Sequence, residues 1–168
     1  SRGLGDVYKR QGFITYMRTD SLRIATVAQN EARSYISQKF GDKFIPSAPR
    51  QYKAKKSAQD AHEAIRPTYA ANSPEKYKDT FKPDQFKLYR LIWQRFMASQ
   101  MSDAIMDTVS AEITTDKYML KASGSTVKFA GFTTLYVEGK DTEEEKAKKL
   151  PVLTEGQELK LSELKPEQ

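Results

Sequence analysis

The hydrophobic pattern of the chain changes its period near residue 102, and this change limits the possible folds more than any other feature. Residues 83–101 carry apolar side chains at helical spacing. Residues 108–115 instead alternate apolar and polar side chains, as a half-buried strand does. Helices followed by strands predict an α+β fold, with antiparallel strands after residue 107.

Other segments show local helix and turn signals. Residues 24–40 are apolar at helical spacing with Val27 on the apolar face, and Gly41 is placed to end that helix. Further helix starts are predicted at residues 19–21 and at Ser73-Pro74, and a short helix over residues 60–66. A turn at 116–117 should precede strands 118–122 and 126–130, with a second turn at 123–125; another strand is expected at 157–164. The aromatic face of the 83–101 helix is expected to be core: Phe86, Tyr89, Ile92, Trp93, Phe96 and Met97.

Composition excludes several kinds of site. The chain contains no cysteine, so disulfides and thiolate zinc sites are ruled out, and its single histidine offers little to a nitrogen-ligated metal. No apolar run is as long as a membrane span and no secretion leader is recognisable, so a cytoplasmic protein without membrane contact is expected.

Positive charge is concentrated in the first part of the chain. Residues 12–101 contain 16 Lys and Arg against 8 Asp and Glu, whereas residues 102–168 contain 9 against 13. Lys53, Lys55 and Lys56 form the densest basic cluster of the first part. Such a field attracts polyanions. Taken alone, however, this charge is more typical of a solvated surface than of a binding site.

Two short motifs carry chemistry. Residues 12–21 read GFITYMRTDS. In an extended chain Tyr16 and Arg18 share one face, where the cation could stabilise charge if the phenol attacked a phosphodiester; Thr15 would pack on the other face. Residues 58–68 read AQDAHEAIRPT, and on a helix His62 and Arg66 would lie on one face. Each motif alone is more often structural; Glu63 is expected to bond backbone or cap a helix.

Together the motifs resemble those of type IA DNA topoisomerases. ITYMRTDS resembles the active-site tyrosine motif of that family, and AQDAHEAIRPT resembles its downstream histidine motif, in the same order. Met17 makes the match more similar to bacterial topoisomerase I than to topoisomerase III. The resemblance implies a mainly helical domain carrying the active-site tyrosine (12–103), followed by an incomplete antiparallel β domain that links domains (104–168). Residues 1–11 do not match the family and are interpreted as an extraneous or fragment-end segment.

The resemblance also implies roles for residues. The phenol of Tyr16 would attack single-stranded DNA and form a 5′-phosphotyrosyl bond, another strand would pass through the gap, and the released 3′-hydroxyl would reseal it without ATP. The implied catalytic residues are Tyr16, Arg18 and His62. The DNA-binding residues, including the basic cluster, are expected to be Arg18, Asp20, His62, Arg66, Lys53, Lys55 and Lys56.

The family binds Mg²⁺ through acidic residues of a separate N-terminal domain, and this sequence lacks that pattern. No metal ligand is therefore predicted here, and the chain is interpreted as an internal fragment that is inactive alone. Its expected partner is a single-stranded segment of negatively supercoiled DNA, bound by a monomer in the cytoplasm at the nucleoid. The alternatives are a non-catalytic single-stranded nucleic-acid-binding module and a tyrosine recombinase fragment. The recombinase order of motifs is not found, because Tyr16 precedes His62.

Overall fold

Two helices and a two-stranded sheet make up the regular structure of the part of the chain that the computed structural model describes, residues 12–15, 21–52, 63–136 and 150–163. Helix α1 spans Thr26–Phe40 and helix α2 spans Pro83–Ser99. Strands β1 (Ile105–Thr114) and β2 (Met119–Phe129) pair with each other. Short 3-10 turns lie at Asp42–Phe44, Pro74–Tyr77 and Gly131–Thr134. The predicted α+β class is confirmed.

Helix α2 forms the centre of the core. It starts with Pro83, whose fixed φ suits the first helical position, and the Gln85 side chain accepts a hydrogen bond from the Lys82 amide at 3.1 Å. The face predicted to be core is confirmed as core, with Phe86 and Ile92 half-buried at its margin. Its large buried side chains recur at helical spacing: Tyr89, Trp93, Phe96 and Met97.

Helices α1 and α2 contribute side chains to one apolar cluster. Ala28, Ala32 and Ile36 are buried one turn apart and join Trp93 and the residues around it in one cluster. Helix α1 ends at Gly41, as predicted, with φ of 97° and an amide that donates to the Ser37 carbonyl. Val27 was expected on the apolar face but is 79% exposed.

A second cluster attaches the first motif to α2. Ile14 is 4% exposed and packs with Tyr89. Phe13 makes edge-on contacts with Tyr77 and Phe81, with ring centroids 5.1 and 4.9 Å apart. Such aromatic pairs add to the energy of burial. The residues that lead into Tyr16 are therefore held by packing on the helical core.

The strands form an antiparallel hairpin. Its predicted turn at Asp116-Lys117 is confirmed, and the Thr115 amide donates to the Tyr118 carbonyl at 2.8 Å. The predicted turn at 123–125 is wrong, because β2 runs through it: pairing with β1 outweighs the turn preference of Ser-Gly-Ser. The strand predicted at 157–164 is absent from residues 157–163, which follow a turn at Gly156 and pair with neither β1 nor β2.

Three helix predictions also need correction. Residues 21–25 are not helical, and α1 begins at Thr26, later than the start predicted at 19–21. Residues 63–66 are irregular rather than helical, because their backbone groups bond to other segments. Ser73-Pro74 opens a 3-10 turn and not an α-helix, although the proline does occupy its first turn.

The chain divides into two compact units. The first contains Ser1–Ile105 and Phe129–Glu138, and the second contains Met106–Lys128 and Gly139–Gln168. Both helices belong to the first unit, as do the cluster around Trp93 and the cluster around Ile14 and Tyr89. Most of the hairpin belongs to the second unit. The predicted domain boundary between residues 103 and 104 stays a prediction.

Candidate active site

The ends of the two motifs pair with each other in the first unit. Ile14 and Pro67 form an antiparallel bridge. On either side of it, the Thr15 amide donates to the Arg66 carbonyl and the Thr68 amide donates to the Phe13 carbonyl, both at 2.9 Å. The structure thus brings together two motifs that the sequence separates by the whole of α1, and fixes their register.

Thr15 adds a side-chain link to this pairing. Its hydroxyl donates to the Ala64 carbonyl at 3.0 Å and accepts a hydrogen bond from the Arg66 amide at 3.1 Å. The sequence predicted only packing for Thr15, because a threonine in an extended run gives no signal of a distant partner. Thr15 directly precedes Tyr16, and Ala64 lies two residues after His62. The hydroxyl therefore joins the described ends of both motifs.

An ion pair inside the second motif holds the same segment. The Arg66 guanidinium meets the Glu63 carboxylate with both arms, Nε to Oε1 at 2.8 Å and Nη2 to Oε2 at 3.1 Å. Nη1 donates to the carbonyls of Pro67 and Thr68 at 3.0 and 3.1 Å. Four of the five N–H donors of an arginine are thereby directed to protein atoms. The two side chains are only 13% and 23% exposed, so the pair is shielded from solvent.

Glu63 extends the network to α1. Its Oε1 accepts a hydrogen bond from the amide of Ala25, the residue that caps the amino end of α1, at 2.8 Å. The Ala64 amide donates to the Arg23 carbonyl at 2.8 Å, so two successive residues are tied to the segment before α1. The expectation that Glu63 bonds backbone or caps a helix is confirmed.

The protonation of Glu63 is set by these neighbours. Burial alone would raise the pKa of its carboxyl. The hydrogen bonds from Arg66 and Ala25, with the positive charges of Arg66 and Arg23, outweigh burial and lower the pKa below the ordinary value. Glu63 is thus an anion at neutral pH and pairs with Arg66 as a charge-assisted fork.

A groove of about 550 Å³ borders the second motif, within the first unit. Ala64 and Ile65 form part of its wall. Tyr52 and Ser99 also line the groove. The Tyr52 hydroxyl donates a hydrogen bond to the Ser99 carbonyl at 2.6 Å, and burial raises the pKa of that phenol. Arg50 pairs with Asp103 at 2.7 Å. The sequence did not indicate this groove, because its walls come from separate segments.

Among the predicted site residues, Arg66 lies within the residues that the structure describes. Tyr16, Arg18, Asp20, His62 and the basic cluster lie outside them, so their shared site stays a prediction. Arg66 is not on a helix, so the expected helical face shared with His62 is wrong at its described end. Its contact with DNA stays a prediction.

The described residues form neither a cluster of metal-binding side chains nor a membrane-spanning helix. They contain no group of three or more His, Asp or Glu side chains placed to hold a metal ion. Neither α1 nor α2 is long and apolar enough to cross a membrane.

Comparison with known proteins identifies the family. A family model described as DNA topoisomerase matches residues 4–168, nearly the whole chain, and so begins before Gly12, where the resemblance was expected to start. The chain belongs to this DNA topoisomerase family. A solved structure of full-length topoisomerase I from Thermotoga maritima is 38% identical, with a TM-score of 0.62. The match covers 73% of this chain and 19% of that one, so this chain spans a small part of that topoisomerase. The resemblance to bacterial type IA topoisomerases is confirmed.

Proposed function

We propose that this chain is the tyrosine-bearing part of a type IA DNA topoisomerase that relaxes negatively supercoiled DNA. The observation that supports this most is the pairing of residues 13–15 with residues 66–68, which joins the ends of the two family motifs. Tyr16 follows Thr15 and His62 precedes Glu63, so chain connectivity keeps both within a few residues of the Thr15–Ala64 hydrogen bond. A nucleophile and a proton-transferring group need this kind of proximity.

The chemistry is a reversible transesterification. The Tyr16 oxygen forms a bond to phosphorus while the bond from phosphorus to the 3′-oxygen breaks. The phenolic proton leaves to His62 or water, and the departing 3′-oxygen takes up a proton from water or a neighbouring acid. The products are a 5′-phosphotyrosine and a 3′-hydroxyl. Arg18 stabilises the charge on the phosphate. After another strand passes, the 3′-hydroxyl attacks the phosphotyrosine and restores the backbone, so no ATP is consumed.

DNA is held by charge around this site. Arg18, Asp20 and His62 contact a single-stranded segment of the supercoiled duplex, and the basic cluster attracts the DNA backbone. The enzyme acts as a monomer at the nucleoid in the cytoplasm. Magnesium is bound outside this chain, by acidic residues elsewhere in the complete enzyme, so the 168-residue chain relaxes no DNA by itself.

Trapping the covalent intermediate tests the proposal. In the complete enzyme, Tyr16→Phe should abolish adduct formation with a labelled oligonucleotide while leaving DNA binding in place, because only the hydroxyl is removed. Arg18→Ala should slow cleavage by the equivalent of about 3 to 4 kcal/mol. His62→Ala should slow it less, by about 10²-fold or somewhat more, since water can partly replace a general acid–base. A label recovered on another residue, or cleavage by Tyr16→Phe, would overturn the mechanism.

Salt dependence tests the DNA-binding role. Reversing Lys53, Lys55 and Lys56 to glutamate should weaken binding to single-stranded DNA and flatten its dependence on salt. The matched control reverses three exposed lysines elsewhere in the first unit, Lys76, Lys78 and Lys82. Equal losses in both variants would show a general charge effect and remove the basic cluster from the site. Binding without any adduct in the complete enzyme would favour the alternative, a non-catalytic single-stranded nucleic-acid-binding module.

A further inference from the structure

We propose that Glu63 and Arg66 form a positioning pair. It sets the placement of residues 63–68, which follow His62 and are called the histidine segment, against residues 13–15, which precede Tyr16 and are called the tyrosine strand. This inference rests on the proposed function and adds two residues to it. Neither residue is assigned contact with the reacting atoms. Their role is carried by the backbone groups that they hold in place.

The pair connects three separate segments. Glu63 accepts the Ala25 amide and so fixes the histidine segment to the amino end of α1. The Arg66 side chain donates hydrogen bonds to the Pro67 and Thr68 carbonyls and so constrains the backbone that pairs with the tyrosine strand. The backbone of Arg66 itself bonds Thr15 through both its amide and its carbonyl. Moving the pair would therefore shift Thr15, which directly precedes Tyr16, and the backbone of Glu63, which directly follows His62.

The charges of the pair are used internally. The Glu63 carboxylate neutralises the Arg66 guanidinium through two bonds, and the arginine side chain is 13% exposed. A DNA phosphate would have to compete with a bidentate carboxylate for the same donors. The geometry therefore favours an indirect effect of Arg66 on the reaction over a phosphate contact.

Removing one partner of such a pair leaves the other charged, partly buried and unmatched. The stranded group would then draw in water or a new partner, and the paired segments would move. A displacement of about 1 Å at reacting groups is enough to slow catalysis up to about a hundredfold without affecting substrate binding. The expected signature is a slower chemical step at unchanged DNA affinity.

The test uses the complete enzyme that contains this chain. Single-turnover adduct formation is measured at saturating oligonucleotide, with DNA affinity across a salt series and the thermal unfolding midpoint. Glu63→Gln keeps the shape of the side chain and Arg66→Lys keeps its charge; each should slow adduct formation by at least about 10-fold. DNA affinity and its salt slope should stay at wild-type values. The matched control is Asp103→Asn, which breaks the 2.7 Å ion pair to Arg50 and should leave the rate unchanged.

A double variant separates positioning from two independent effects. If the residues act as one unit, Glu63→Gln with Arg66→Lys should be little slower than either single change. Additive losses would overturn the proposal. So would an Arg66→Gln enzyme that binds DNA more weakly with a flatter salt slope, the signature of a lost phosphate contact. Wild-type adduct rates in both single variants, whether or not stability falls, would leave the pair a purely structural feature and also refute it.

These outcomes differ from failure of the proposed function. If the wild-type enzyme forms no adduct on Tyr16, the proposed chemistry is wrong. If the wild-type enzyme forms the adduct and Glu63→Gln forms it at the same rate, the chemistry stands and the positioning pair is refuted.

Discussion

The hydroxyl of Thr15 offers a sharp test of how the two motifs are joined. Thr15→Val keeps the branched shape of the side chain and its preference for extended backbone, but removes the oxygen. It deletes the hydrogen bond to the Ala64 carbonyl and the one from the Arg66 amide. The main-chain bond from the Thr15 amide to the Arg66 carbonyl remains, so the register itself should survive.

The magnitude follows from what the substitution leaves unpaired. A hydrogen bond contributes about 0.5 to 1.5 kcal/mol net, and a stranded buried polar group costs about 1 to 3 kcal/mol. Thr15, Ala64 and Arg66 are all half-buried, so water can partly satisfy the stranded carbonyl and amide. We therefore expect the free energy of unfolding of the first unit to fall by about 1 to 2 kcal/mol.

The chain contains a convenient probe for this measurement. Its single tryptophan, Trp93, is 4% exposed in the core of the first unit, so its fluorescence reports that unit without a signal from the hairpin. With a urea dependence of about 2 kcal/mol per molar, the unfolding midpoint should drop by about 0.5 to 1 M. Thr15→Ser is the matched control, since it keeps the hydroxyl and loses only a methyl group. A Thr15→Val midpoint equal to that of wild type, or a larger loss in Thr15→Ser, would refute the link.

Three further predictions concern stability. Because the pKa of Glu63 is lowered, its contribution to stability is fully present above the ordinary value of 4.5 and is lost as pH falls through the lowered pKa. Glu63→Gln should therefore be less stable than wild type at neutral pH, and the difference should shrink as the pH of the urea titration falls below 4.5. Met97→Ala empties a site with 0% exposure and should cost about 2 to 5 kcal/mol by Trp93 fluorescence. Gly131→Ala should lower the thermal midpoint more than Gly156→Ala. Both have positive φ, but a Cβ on Gly131 would overlap the Asp103 carbonyl and one on Gly156 meets open space.

The elements predicted correctly are those whose signals are local. Apolar spacing predicts helix α2, a glycine with positive φ ends α1, and Asp116-Lys117 forms the turn of the hairpin. Each depends on neighbours within a few residues along the chain, so the sequence contains the information directly. The turn expected at 123–125 failed because its outcome depends on a partner strand, and a ladder of cross-strand bonds outweighs a turn preference.

The sequence indicates candidate site residues but carries no information about how they are arranged in space. The motif letters indicated Tyr16 and His62, but nothing local shows that Ile14 lies opposite Pro67. The helix expected at 60–66 illustrates the difficulty. Residues Glu63 and Ala64 are good helix formers, yet the Ala64 amide bonds Arg23 and the Glu63 carboxylate bonds Ala25. Tertiary partners overrode the intrinsic preference, which amounts to only a few tenths of a kcal/mol per residue.

Helix α2 supplies none of the predicted site residues, yet it holds both paired segments. The Tyr89 ring packs on Ile14 in the tyrosine strand, while its hydroxyl donates to the Asn72 carbonyl at 2.7 Å. One turn later the Trp93 indole donates to the Ala70 carbonyl at 2.9 Å. The helix thus contacts the tyrosine strand by apolar packing. It binds the residues that follow the histidine motif through two side-chain hydrogen bonds. Both sets of contacts come from one helix, so a change in the packing of α2 should also change how the two motif ends are aligned. The segment whose helical pattern is clearest in the sequence is therefore the one that aligns the two motifs.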